Sequence, residues 1–254
     1  MMEHIERFIG RVDEYEQYRE RYPPKIIEIL TAKCELQREH LVADVGAGTG
    51  MLAELFLENG NSVVALEPNN EMRGACERLA TVWPGFMVKK ATAEDTGLDD
   101  VSVDFVSVGR AWHWFDRDKA LKEFRRILRP GGWVVLVSNR RNQNGSVRAE
   151  AFENILMELG RDYRETHKET RRMSEITPLF PGGVTIREDL YGEQMLTLEG
   201  FLGQVQSFSV APRPGDETYS KMQVALRNFF MQFQYDDELR VETVCSVMAC
   251  KLTE

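Results

Sequence analysis

The chain has 254 residues, 43% of them hydrophobic and 29% charged, with a formal net charge of -9. That is enough apolar material for one large domain, or a domain with a small appendage. The acidic balance argues against a binder of nucleic acid or of an anionic membrane surface.

The first 140 residues alternate strand-like and helix-like segments. LVADV, Leu41 to Val45, is an apolar run ending in glycines, and MLAELFLENG follows with helical spacing until Gly60. SVVALE, Ser62 to Glu67, reads as a second strand, and Asn69 is a natural N-cap for a helix through Leu79. FMVKK and VDFVSVG are the third and fourth strands. Asp116 can cap a helix with a stripe of Ala120, Leu121, Phe124, Ile127 and Leu128, stopped at Pro130-Gly131-Gly132. WVVLVS is the fifth strand.

Beyond residue 140 the pattern changes. Ala151 to Gly160 reads as a helix and VTIREDLYGEQM as a strand. Two helices follow, one capped by Thr197 and one carrying Met222, Leu226, Phe229 and Phe230, and VETVCSVMACKL closes as a long strand. Near-continuous apolar strands separated by helices predict an α/β fold: a Rossmann-like, doubly wound, mostly parallel seven-stranded sheet with helices on both faces and an antiparallel last strand. Ligands of such folds sit beyond the carboxyl ends of the strands. Three stretches fall there: Gly46 to Gly50, Glu67-Pro68-Asn69, and AWHWFD from Ala111.

DVGAGTG, Asp44 to Gly50, has the strand–turn–helix context that gives a glycine loop meaning. The dinucleotide fingerprint would need glycine at Met51, and a Walker loop would need Gly-Lys-Ser/Thr. Asp44 would repel a pyrophosphate but suits a ligand carrying an ammonium and a sulfonium. Glu67, ending the second strand, can accept both hydroxyls of a ribose.

DVGAGTG, ALEPN, DFVSVGRAWHWFD and LKEFRRILRPGGWVVLVS together resemble the class I S-adenosylmethionine-dependent methyltransferases. FIGRVDEYEQYRERYP, LTLEGFLGQVQSFSVAPRPGD and the closing strand are similar to the small-molecule group that includes trans-aconitate methyltransferase. The resemblance implies S-adenosyl-L-methionine as cofactor. It implies that Asp44, Gly46, Ala47 and Gly48 line its methionine part and that Glu67 holds the ribose, with Pro68 and Asn69 beside it. Thr92, Ala93 and Glu94 would flank the adenine, Gly109 and Arg110 would lie under the methionyl portion, and Tyr15, Tyr18 and Arg19 would close over the cofactor. Two positions depart from the family pattern: Thr92 replaces a usual aspartate, and Glu20 a usual proline. The division implied is one domain over 1–254: a cap over 1–24, a cofactor-binding core over 25–140, and a substrate-side half over 141–254 with a helical insertion at 197–234.

Methyl transfer from a sulfonium is an in-line displacement, so the protein's main task is to align and dry the reactants. A carboxylate acceptor needs no base; a phenol, alcohol or ammonium does. His113 is the candidate catalytic residue, open to three roles: base, hydrogen-bond donor to a substrate oxygen, or structural histidine. Of Trp112 and Trp114, one is expected under the following helix and one on the substrate cavity. Ser207 and Ser209 are candidate polar contacts or helix-terminal hydroxyls. Arg140, Arg141, Arg148, Arg171 and Arg172 are either solvated helix ends or an attractor for an anionic substrate. A cofactor-binding protein without turnover and a nicotinamide-dependent oxidoreductase are the rival readings, the latter opposed by Met51 and Asp44.

The cysteines, Cys34, Cys76, Cys245 and Cys250, form no C-x-x-C pair and no zinc-type spacing with histidine. Free thiols, no metal centre and a cytoplasmic location are therefore expected. The N-terminal MMEHIERFIGR lacks an apolar signal core, and the longest apolar run is too short to span a bilayer. A small-molecule acceptor, no nucleic acid, no membrane and, by default, a monomer complete the expectation.

Overall fold

The computed structural model describes residues 10–142, 145–164 and 185–251. Seven strands form one sheet in the order β3-β2-β1-β4-β5-β7-β6. β1 (Leu41–Val45), β2 (Ser62–Leu66), β3 (Phe86–Lys89), β4 (Val103–Gly109) and β5 (Leu128–Arg141) are mutually parallel. β7 (Leu239–Lys251) runs antiparallel to both its neighbours, β5 and β6 (Thr185–Leu196). Strand order reverses between β1 and β4, which opens a crevice at their carboxyl ends.

The apolar alternation of the strands feeds two cores, one per face. Val42, Phe105, Trp133, Val135 and Val137 pack against α2 (Lys25–Cys34) and α3 (Met51–Asn59) through Ile26, Leu30, Leu52 and Phe56. Ala43, Val64, Val106 and Leu136 pack against Phe124 and Ile127 of α5 (Arg117–Ile127). A third core lies off the sheet, where Phe152 and Leu156 of α6 (Val147–Leu159) meet Phe201 of α7 (Leu198–Gln206) and Met222, Leu226 and Phe229 of α8 (Tyr219–Phe233). α7 and α8 lie between β6 and β7 in the chain.

Side-chain caps start these helices where the sequence indicates. Asn69 accepts from the amides of Glu71 and Met72 to open α4 (Asn70–Ala80). Asp116, Ser146 and Thr197 likewise cap α5, α6 and α7. α6 starts four residues before the expected Ala151. α5 ends at Ile127, not at Pro130, and Leu128 already opens β5. Pro130 excludes Arg129 from the helical region, and Leu128 is buried in the core beneath α5. Val103 pairs with Leu128 but Phe105 with Trp133, so Pro130-Gly131-Gly132 bulges from the ladder.

All four cysteines are buried and unbridged. Among the described residues no helix is long and apolar enough to cross a membrane, and no cluster of three or more His, Cys, Asp or Glu could hold a metal ion.

Candidate functional site

A cavity of about 1020 Å³, its open mouth included, occupies the crevice at the carboxyl ends of β1, β2 and β4. Gly46 and Gly48 form one wall, and Gly46 donates its amide to Leu66 O at 2.8 Å, which ties the glycine loop to the end of β2. Gly48 has φ +61, and a Cβ built there would point into open space. The loop thus leaves a cradle that a side chain would fill. Glu67 stands beside it, 7% exposed. Its Oε2 accepts from the Gly48 amide and its Oε1 from the Asn69 amide, both at 2.8 Å. Each oxygen keeps lone-pair capacity for a further donor such as a ribose hydroxyl. Burial raises the Glu67 carboxyl above its ordinary value, and the two amides oppose that rise. Pro68, Asn69, Thr92, Ala93 and Glu94 continue this wall, and Glu94 accepts from the Asp116 amide at 2.8 Å.

Asp44 is not on the wall, contrary to expectation. It is fully buried, Ser107 donates to its Oδ1 at 2.8 Å, and its Oδ2 is buried without a hydrogen-bond partner. Burial pushes its carboxyl up to about 7, against the Ser107 hydroxyl and the Ala53 amide. Ala47 also stands off the cavity and packs against the α2–α3 core.

At the end of β4, Gly109 and Arg110 line the floor, and Arg110 takes φ 56 to turn the chain. A turn of 3-10 helix over Trp112–Trp114 then divides the aromatic cluster. His113 and Trp114 face the cavity with ring centroids 4.2 Å apart. Trp112 does not, which corrects its assignment to the substrate: it is 1% exposed, packed on Phe115 and on Phe124 of α5.

The N-terminal segment contributes to the lining. Tyr15 of α1 (Val12–Tyr18) and Arg19 line the cavity, with the Arg19 guanidinium 5.1 Å from the Tyr15 ring. Arg11 anchors the segment by donating to the carbonyls of Gln206 and Ala211. Tyr18 turns away and donates to Glu199 of α7 at 3.0 Å. Ser207 is likewise corrected: it is fully buried at the end of α7, donating to Gln204 O and accepting from Arg19, while Ser209 reaches the cavity. Burial, with the charges of Arg110 and Arg141, lowers the Arg19 guanidinium to about 10, so it stays charged at neutral pH.

Of the basic region, Arg140 lies 3.8 Å from Asp189 and Arg148 3.4 Å from Glu242. Arg141 has no acidic partner within ion-pair distance among the described residues, and Arg171 and Arg172 lie outside them. Three wall residues had no role in the sequence reading: Met72, Ala111 and Phe115. Met72 could have been found from its place one turn beyond the Asn69 cap, and Ala111 and Phe115 from flanking the aromatic turn at a strand end.

A crevice at the switch point, walled by a glycine loop, a buried carboxylate and part of the N-terminal segment, is the ligand-binding place of an open α/β sheet. Residues 43–136 match the methyltransferase domain family. An uncharacterized methyltransferase of Mycobacterium tuberculosis is 41% identical over 136 residues, 54% of this chain and 53% of that one. The chain thus covers about half the length of the curated relatives it matches. A structure from Anaeromyxobacter dehalogenans, solved as a candidate type II methyltransferase, superposes with TM-score 0.67 at 25% identity, over 93% of this chain and 100% of that one. A Haemonchus contortus phosphoethanolamine N-methyltransferase, solved with phosphomonomethylethanolamine and S-adenosylhomocysteine, shares the fold at TM-score 0.56 and 16% identity, over 98% of this chain and 59% of that one. Residues 43–136 thus carry a methyltransferase domain, and the chain around them has the fold of these solved structures.

Proposed function

We propose that this protein transfers the methyl group of S-adenosylmethionine to an oxygen nucleophile, a carboxylate above all, of a small molecule. The observation that carries the reading is a single cavity with two kinds of wall. One wall, Gly46, Gly48 and Glu67, suits the cofactor; the other, Arg110, His113 and Trp114, offers side chains that the cofactor does not need. The open cradle at Gly48 and the Glu67 carboxylate fit S-adenosylmethionine.

When bound, the cofactor supplies a sulfonium methyl group: an acceptor lone pair bonds to the methyl carbon while the carbon–sulfur bond breaks, leaving its electron pair on sulfur. Glu67 would hold the ribose hydroxyls, Arg19 would meet the amino-acid carboxylate, and residues 92–94 would flank the adenine. Holding acceptor and methyl group in register is worth roughly 7–11 kcal/mol. Trp114, Phe115 and the N-terminal cap keep water out. A carboxylate acceptor gives up no proton, so His113 then donates a hydrogen bond to its oxygen and abstracts nothing. In this reading residues 1–24 are a cap, 25–140 the cofactor core and 141–254 the acceptor side.

Calorimetry with S-adenosylmethionine and S-adenosylhomocysteine tests the first step, and transfer of tritium from labelled cofactor into a metabolite extract tests the second. Absence of binding sinks the reading. Binding without any transfer leaves a carrier or sensor of the cofactor in its place.

A further inference from the structure

A second cavity of about 550 Å³ lies on the acceptor side, between β7, the start of α6 and the α7–α8 layer. Its interior is aromatic: Phe152, Phe201 and Phe229 pack with ring centroids 5.4 to 5.6 Å apart. Two of the arginines in its lining are ion-paired. Arg148 meets Glu242 at 3.4 Å, Arg240 meets Glu193 at 2.7 Å, and the Tyr163 hydroxyl donates to Glu153 at 3.0 Å.

Arg141 is different. Its guanidinium lies 4.5 Å from the Phe152 ring and 5.2 Å from the Phe208 ring, and its polar contact is the Tyr163 hydroxyl at 3.5 Å. Glu153 reaches it only as a longer-range charge, while Arg110 opposes it. A largely desolvated guanidinium that rests on π faces, with no anion to meet it, invites one. Phe208 also lies 5.0 Å from the Arg19 guanidinium, so one ring stands between an arginine of the first lining and an arginine of the second. Of the first cavity's cations, Arg19 faces the cofactor's own carboxylate, and Arg110 and Arg19 both act on the Glu20 carboxyl. Among the described residues lining the second cavity, Arg141 is thus the arginine without an ion pair, and it is the cation that remains there for the acceptor.

Resting on the methyl-transfer reading above, we propose that the second cavity receives the body of the methyl acceptor, with Arg141 holding its carboxylate and Phe208 swinging aside to join the cavities. The acceptor is then an apolar-bodied monocarboxylate and not a tricarboxylate. Methylation turns the anion into a neutral ester, which loses its charge-assisted bond to Arg141 and is released.

The test uses the full chain saturated with S-adenosylhomocysteine and titrated calorimetrically with benzoate, phenylacetate and 4-methylpentanoate. Their neutral amides and citrate are the controls. At least one monocarboxylate should bind tenfold or more tighter than its amide and than citrate. Arg141→Gln should erase the acid–amide difference, and Ala149→Phe, which fills the second cavity, should weaken the monocarboxylate at least tenfold. Both variants should keep S-adenosylhomocysteine affinity within twofold, which also reports that they fold. Failure of all three monocarboxylates, a preference for citrate, or discrimination that survives Arg141→Gln overturns the proposal alone. Failure of the wild-type chain to bind S-adenosylhomocysteine overturns the methyl-transfer reading, and this proposal with it.

Discussion

The first cavity is walled by strand ends and backbone; the second is walled by side chains from helices and a strand far apart in sequence. Gly46, Gly48 and Glu67 lie within 22 residues of one another and are tied together by the Gly48 and Leu66 hydrogen bonds. Arg141, Phe152, Phe201 and Phe229 come from β5, α6, α7 and α8, and meet only because β7 returns antiparallel beside β5. On the proposed reading the first is a mould for the cofactor. The second is a set of replaceable side chains on a common frame, where an acceptor can be specified without disturbing the cofactor.

The sharpest break in that comparison is Glu67→Ala. On the reading proposed above it removes the acceptor of two ribose hydroxyls, and it leaves the Gly48 and Asn69 amides without their Glu67 partner. Two hydrogen bonds to a charged group amount to roughly 3–6 kcal/mol, so cofactor affinity measured by calorimetry should fall at least a hundredfold. A loss of less than tenfold would remove Glu67 from the ribose.

Asp44 gives the next effect, and it is a stability effect. Its carboxyl, fully buried, is raised from 3.8 to about 7. A folded value above the unfolded one means that the folded protein binds more protons. Stability is then fully present below pH 4 and is lost as the pH rises towards 7, by about 4 kcal/mol. Glu67, raised in the same direction, adds to the slope. Denaturant unfolding of the cofactor-free protein between pH 4.5 and 8 should show this loss, and Asp44→Asn should flatten it. Superimposable profiles for the two proteins would contradict the assignment.

Arg11→Met comes third. The guanidinium, 4% exposed, holds the N-terminal segment to the carbonyls of Gln206 and Ala211. Losing two charge-assisted bonds should cost about 3 kcal/mol, read as a lower denaturant midpoint. Protease sensitivity should appear first in the cap, because nothing in the β1–β5 core depends on Arg11. Uniform destabilisation without early cleavage near α1 would mean that the cap is no separate cover.

The same contrast explains how much could be read from the sequence. The glycine loop, Glu67 and the helix caps were legible because strand–turn–helix punctuation is local. Trp112 and Trp114 are two residues apart, and only their packing separates them: a short 3-10 turn buries one against Phe124 and leaves the other on the wall. Ser207 and Ser209 divide in the same way at the end of α7, where the first hydroxyl returns to Gln204 O. Its charge and the family resemblance put Asp44 on the wall, but β1 points its side chain at Ser107 of β4. Of the second cavity the sequence offered only Arg141 and Arg148, within a basic region open to two readings; its aromatic members share neither a spacing nor a motif that brings them together.

His113→Ala is the mildest change and the one that joins the two regions. The ring sits on the first cavity's wall beside Trp114. If it donates one hydrogen bond to an anionic acceptor oxygen, its loss costs about 1.5–3 kcal/mol, or roughly a ten- to hundredfold fall in kcat/KM, with S-adenosylhomocysteine affinity unchanged. A general base would cost more, about 10²–10⁴-fold, and an acceptor of higher pKa would then recover rate as the pH rises. The pH profile separates the two: a uniform loss between pH 6 and 9 marks a donor, and a loss that shrinks with pH marks a base. Full turnover in the variant would return His113 to packing with Trp114 and leave Arg141 as the side chain that recognises the acceptor.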